Sequence, residues 1–227
     1  MKVQIQRLLA RLGLHITRNP LSYYELVANI RQSLILQSKG VLHIGAHRGL
    51  EAPFYSNLQR SVIWIEAIPG IFDDLLINIA RFDNQSAFLA LLGEEDKAAK
   101  KMYLSNNDYM SSSVFQFGEG MNHKNLSMND EIILPMKRLD ALLDSQDLCD
   151  FKHWVIDVQG SEILVLNGAG PLLKNVNSLE IEVSTKSEYE CGATWEPVKT
   201  LLNKYGLFPL WEPKENSHED ILFVRRF

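Results

Sequence analysis

From Gly40 onward, short runs of apolar and β-branched residues alternate with segments whose apolar residues recur at helical spacing. "VLHI" from Val41 reads as a buried strand, and so does "SVIWIEAIP", which ends in Glu66 and Pro69. In "GIFDDLLINIARF", Ile71, Leu75, Leu76 and Ile79 share one helical face, which makes it the crossover helix between parallel strands. "SAFLALLGEED" reads as a third strand ending at Gly93. From about Lys97 to Leu134, "KKMYLSNND", "SSSVFQF" and "DEIILPM" predict short strands in an insertion over the sheet edge. "KRLDALLDS" predicts a short helix, and "HWVIDVQGSEILVLNGAG" a strand, a turn and a helix closed by Gly168 and Gly170. "VNSLEIEVS" is then a strand, "TWEPVKTLLNKYG" a helix stopped by Gly206, and "LFPLWEP" with "DILFVRRF" a final strand pair.

Two apolar segments precede this alternation. Ile5, Leu8, Leu9, Leu12 and Ile16 fall on one helical face with Arg7, Arg11 and Arg18 opposite, and a second segment runs from Tyr23 to Leu36. The division expected is a helical extension over 1–39 and one catalytic domain over 40–227. The basic stripe of residues 1–18 fits packing on the domain or on a second subunit, and a second reading is peripheral contact with an anionic membrane surface. Strands alternating with helices predict an α/β fold, a mostly parallel sheet with helices on both faces. In such sheets ligands bind beyond the carboxyl ends of the strands, where strand order reverses.

Composition narrows the partners. A chain of 227 residues with 46% hydrophobic residues can bury one substantial core, and a net charge of −5 with acids and bases interspersed along the chain argues against a nucleic-acid partner. Cys149 and Cys191 lack the paired spacing of a zinc site and read as free thiols in a reducing compartment. With no apolar run of membrane-spanning length and no signal-peptide pattern, the expected location is the cytoplasm.

The candidate chemistry lies just past the strands. Gly45-Ala46-His47-Arg48-Gly49 forms a Gly-x-x-x-Gly turn that lets backbone approach a ligand, without the glycines of a dinucleotide fingerprint or the lysine of a phosphate loop. Glu66, 17 residues past Gly49, stands where an acid can hold both hydroxyls of a ribose, or cap the helix that follows it. Turn and acid together, in this order, favour a nucleoside cofactor. Asp157 follows the fourth strand and either serves as general base or caps the helix that begins near Ser161. Glu180 and Glu182 point to one face of an internal strand, and Glu182 lies nearer its carboxyl end. Asp157 and Glu182 could alternatively hold a divalent cation, which is not the favoured reading. His43 and His47 are four apart, but a strand-to-turn path sends them in different directions, so no metal site is assigned to them. His47 faces either the reaction site or a neighbouring backbone group. Trp154, Trp195 and Trp211 read as core or rim aromatics rather than sugar-stacking platforms.

"VLHIGAHRG", "VIWIEAIP", "WVIDVQGSEILVLNGAG" and "SLEIEVS" together resemble the FkbM family of S-adenosylmethionine-dependent methyltransferases, from about Val41 to Phe227. The resemblance implies a class I methyltransferase (Rossmann-like) fold, a seven-stranded sheet with its last strand antiparallel, and O-methylation of a saccharide or secondary metabolite. It places Gly45, Ala46 and Gly49 beside the methionine part of the cofactor and Glu66 with Ala67 at the ribose. Leu91 and Leu92 then lie near the adenine and Ser112 of the "SSS" run near the cofactor. Apart from the resemblance, position past the strands makes Asp157, Glu182 and His47 the candidate catalytic residues, with Asp157 also a candidate cofactor contact. Many methyltransferases carry an acid where this chain has His43, so another acid or the backbone must meet the cofactor's amino group. The alternatives are a nicotinamide-dependent oxidoreductase, which would need a Gly-x-Gly-x-x-Gly turn that is absent, and a non-catalytic saccharide- or membrane-surface-binding module on the same fold.

Overall fold

The computed structural model describes residues 22–118 and 125–226. The amphipathic segment at 1–18 therefore lies outside the described residues. The first described helix, α1 (Tyr23–Leu36), opens on a capping box: Ser22 N–H donates to the Glu25 carboxylate at 2.7 Å and Glu25 N–H to the Ser22 hydroxyl at 3.2 Å.

Then come β1 (Gly40–Ile44), α2 (Ala52–Asn57), β2 (Ser61–Glu66), α3 (Pro69–Ile79) and β3 (Gln85–Leu89). β4 (Leu91–Leu92), β5 (Lys97–Ser105) and β6 (Met128–Lys137) follow, and then α4 (Leu139–Leu142), β7 (His153–Ile156) and α5 (Glu162–Ala169). A 3-10 turn at Gly170–Asn175, β8 (Ser178–Ser184), α6 (Trp195–Lys204), β9 (Leu207–Pro209) and β10 (His218–Arg225) complete the order.

Seven strands form the main sheet in the order β3-β2-β1-β7-β8-β10-β9, with β10 antiparallel to β8 and β9. All five residues of β1 are buried because helices cover both faces. On one face Leu42, Ile44, Trp154, Ile156, Leu179 and Phe223 pack against α5 and α6; on the other, Val41, Val62 and Trp64 meet Ile35, Leu75 and Ile79. From β1 the chain builds outward through β2 and β3 and then returns to place β7 on the other side of β1. Strand order reverses between β1 and β7, and the crevice opens there.

Two expected strands differ from the structure. The "SAFLALL" run breaks at Ala90, whose N–H turns to the Glu66 carbonyl at 2.9 Å, so that Leu91–Leu92 joins a separate three-stranded sheet, β4-β6-β5. "SSSVFQF" makes only isolated bridges, from Ser113 to Tyr103 and from Phe117 to Tyr189. Its serines bind backbone instead: the Ser112 hydroxyl accepts Ser105 N–H and the Ser105 hydroxyl accepts Ser111 N–H, both at 3.0 Å, which competes with a ladder.

Glu180, an acid on an internal strand, is explained by α1. Arg31 forms an ion pair with its buried carboxylate and reaches Asp220 at 3.6 Å, while Ile30 and Leu34 pack on Leu222.

Candidate functional site

The β1–α2 turn is fixed by its backbone. Gly45 and Ala46 both donate N–H to the Ile65 carbonyl at 3.0 Å, and Gly45 has φ +82°. A Cβ there would fall on the Asp157 carbonyl oxygen, and one at Gly49, φ +63°, would meet the Leu75 side chain. The two glycines are therefore required where β1 and β7 part. His47 is also left-handed, at φ +46°. Its N–H donates to Glu66 Oε2 at 2.8 Å, and its ring Nε2 lies 2.9 Å from the Asp108 carbonyl. Arg48 bridges the same loops, binding Asp74 at 2.8 Å and Asp108 in the insertion.

Glu66 ends β2 with its side chain buried. Oε1 accepts both Ala67 and Ile68 N–H at 2.8 Å, so the acid caps the start of α3 as well as bracing the glycine turn. Burial is the largest influence and raises its pKa, against the pull of the three amides. Oε1 is saturated, whereas Oε2 carries one backbone donor and retains capacity for a ligand hydroxyl.

A cavity of about 530 Å³ lies over these groups. Gly45, Ala46, His47, Gly49, Glu66, Ala67, Leu91, Leu92, Ser112, Asp157 and Glu182 all line it, so the residues expected from sequence converge on one space. Its size falls within the range of small-molecule and cofactor sites. Ile68, Leu91, Met102 and Val114 make one wall apolar, and Leu50, Tyr109 and Met110 give it exposed apolar lining.

Past the glycine turn the lining is acidic. Gln159 Nε2 donates to Asp157 Oδ1 at 2.6 Å and to Glu182 Oε2 at 2.8 Å, while Gln159 Oε1 accepts the Tyr189 hydroxyl at 2.6 Å. Burial, and then the Glu182 charge, holds the Asp157 carboxyl well above its ordinary range. Asp157 does not cap α5, whose N-cap is Ser161; Glu162 of that helix is buried and accepts Gly160 N–H at 3.0 Å. On the far side of Glu182, His218 Nε2 stands 2.5 Å from Oε1, and its Nδ1 faces Glu188 at 3.2 Å.

His218 and Glu188 were not found by sequence reasoning. The missed signal is strand direction: an antiparallel last strand brings its first residues, not its last, to the carboxyl ends of its neighbours, and His218 opens β10. His43 is a core group, stacked on Trp64 with centroids 4.8 Å apart and 3.3 Å from the Tyr55 hydroxyl; burial pushes its pKa down to about 4. Glu51 also lines the cavity, and its carboxylate lies close enough to His43 to act on that ring's charge.

Among the described residues no group of three or more His, Cys, Asp or Glu side chains is arranged to hold a metal ion. No helix among them is long and apolar enough to cross a membrane. Cys149 and Cys191 are free and exposed.

In comparison with known proteins, the chain resembles three solved structures among others. Fibrillarin of Aeropyrum pernix, with natively bound S-adenosyl-L-methionine, is 14% identical over 88% of this chain and 74% of that one, with a TM-score of 0.49. A TehB-like S-adenosylmethionine-dependent methyltransferase of Corynebacterium glutamicum is 13% identical over 99% and 96%, TM-score 0.44. Precorrin-6y C5,15-methyltransferase of Geobacter metallireducens is 11% identical over 93% and 94%, TM-score 0.46. No curated protein matches the chain in sequence. The model of the methyltransferase FkbM domain matches residues 43–222, which spans the glycine turn, Glu66, Asp157, Glu182 and His218. The chain therefore belongs to the FkbM methyltransferase family and is an S-adenosylmethionine-dependent methyltransferase of class I fold.

Proposed function

We propose that the cavity transfers the methyl group to a hydroxyl of a neutral saccharide or related small metabolite. The observation that carries this reading is the partly buried Asp157–Gln159–Glu182 arrangement, two carboxylates joined through one amide beside the glycine turn. A hydroxyl must lose its proton as it takes a methyl group, and a carboxylate within reach contributes about 10²–10⁴ in rate.

The residues fit the cofactor. Gly45 and Gly49 hold the turn's backbone at the cavity wall in a path that a Cβ would block, Glu66 Oε2 retains acceptor capacity for the ribose, and Leu91, Leu92 and Met102 suit the adenine. Ala46, Ala67 and Ser112 complete the cradle in this reading, with His47 between cradle and acceptor. When bound, S-adenosylmethionine supplies a methyl group activated by a sulfonium. Asp157 and Glu182 orient the acceptor hydroxyl, and one of the two carboxylates takes its proton.

Charge supports a neutral acceptor. Among the described cavity-lining residues Arg48 is the one guanidinium and no lysine occurs, and Arg48 already binds Asp74 and Asp108. Nucleic acid, with a charge at every phosphate, would meet Asp157, Glu182 and Glu188. Exposed free thiols support a reducing compartment, the cytoplasm. The test is to incubate the protein with methyl-labelled S-adenosylmethionine and separate fractions of soluble saccharides and of RNA. Label is expected in the saccharide fraction, and label confined to RNA overturns the reading.

A further inference from the structure

His218 is the first residue of β10 and pairs with Ser184, so its ring lies beside Glu182, two residues back along β8. Each of its nitrogens faces a carboxylate oxygen, Nε2 that of Glu182 at 2.5 Å and Nδ1 that of Glu188 at 3.2 Å. An ionised carboxylate only accepts, so a ring meeting one on each side donates from both nitrogens, which is the cationic form. Glu182 thus receives two donors, one from His218 and one from Gln159. Asp157 receives Gln159 and shares a hydrogen bond with Glu182 itself, a contact that raises the Asp157 pKa and so makes Asp157 the acid that holds the proton between them. Both amide hydrogens of Gln159 are committed to the two acids, and Tyr189 on its oxygen sets the amide's orientation.

We propose that His218 is a positioning residue, clamped between Glu182 and Glu188, that makes Glu182 rather than Asp157 the group accepting the proton of the methyl acceptor. This rests on the O-methylation reading above. The acceptor oxygen bonds to the methyl carbon as the carbon–sulfur bond breaks, sulfur keeps the electron pair, and the hydroxyl proton passes to the Glu182 carboxylate.

The surroundings leave this role to His218. Around Glu182 stand Asp157 from the end of β7, Glu162 on α5, Asp220 on β10, and Glu188 and Tyr189 on the loop after β8, none of which supplies a positive charge. Arg31 on α1 pairs with Glu180 and Asp220. Burial and the neighbouring Glu182 charge favour a proton on Asp157, which matches this division of roles.

The experiment is NMR on protein with ¹⁵N-labelled histidine and ¹³C-labelled carboxyl groups, with and without S-adenosylhomocysteine. Both His218 nitrogens are expected to be protonated at about pH 7.5, Glu182 ionised and Asp157 protonated. In His218→Gln and in the gentler Glu188→Gln, the Glu182 titration moves up by about one unit or more. A neutral His218 in the wild type, or a Glu182 titration that moves in neither variant, overturns the proposal. Calorimetry with S-adenosylhomocysteine reads the cofactor site separately: loss of binding by the wild type counts against that site, while the His218 result stands on spectra of the protein alone.

Discussion

The Glu66 carboxylate accepts the His47 main-chain N–H at 2.8 Å, across the gap between the end of β2 and the glycine turn after β1. One side chain therefore braces the turn, caps α3 and presents an acceptor to the cavity. In Glu66→Gln one carboxylate oxygen becomes an N–H donor that must face a backbone N–H. S-adenosylhomocysteine affinity is expected to fall at least tenfold by calorimetry, with a stability loss of about 1–3 kcal/mol. Unchanged affinity would remove Glu66 from the cofactor site.

Two glycines make a contrasting pair. Gly45→Ala places Cβ on the Asp157 carbonyl oxygen in a left-handed conformation and should cost ~3 kcal/mol or more. Gly70, in the first turn of α3, has open space where its Cβ would lie, and Gly70→Ala should stabilise by about 0.4–1 kcal/mol. Urea denaturation measures both, and equal effects would contradict the geometry.

The Arg31–Glu180 pair predicts a rescue. Arg31→Met leaves a buried carboxylate without its cation and should lower stability by about 1–3 kcal/mol, whereas the double variant with Glu180→Met should recover most of that loss. A double variant as unstable as the single one would show that the pair does not act as a unit.

Stability should depend on pH in two opposed ways. Burial raises Glu162 and Glu180 from 4.5 to about 7, so the folded chain keeps protons that the unfolded chain releases, and stability falls as pH rises from about 4.5 through 7. Burial lowers His43 and His153 from 6.5 to about 4 and about 3, so stability falls as pH drops below 6.5. The two effects oppose each other between 4.5 and 6.5, and the thermal midpoint should be highest there. Glu162→Gln should reduce the loss seen between pH 6.5 and 8. A midpoint that rises steadily to pH 8 would contradict these assignments.

Much of this was legible in the chain because period and punctuation agree. Buried strands such as "SVIWIE", helical spacing in "GIFDDLLINIARF", and glycines at strand ends place the crevice and most of its lining. The insertion was harder, since Ser105 and Ser112 bind backbone with their hydroxyls and undo the strand that their neighbours suggest. Charge partners were harder still. Arg31 with Glu180, and His218 with Glu182, join residues 149 and 36 positions apart, and only β10's reversed direction and the packing of α1 bring them together.

The most direct test is transfer from S-adenosylmethionine carrying a ¹³C methyl group, with the product's methyl carbon observed by NMR after incubation with the soluble saccharide fraction. A new resonance in the O-methyl range on a saccharide, lost in Glu182→Gln and retained in Gly70→Ala, is the predicted result. A methyl group attached to nitrogen or carbon, or one on a saccharide oxygen formed equally well by Glu182→Gln, would contradict it.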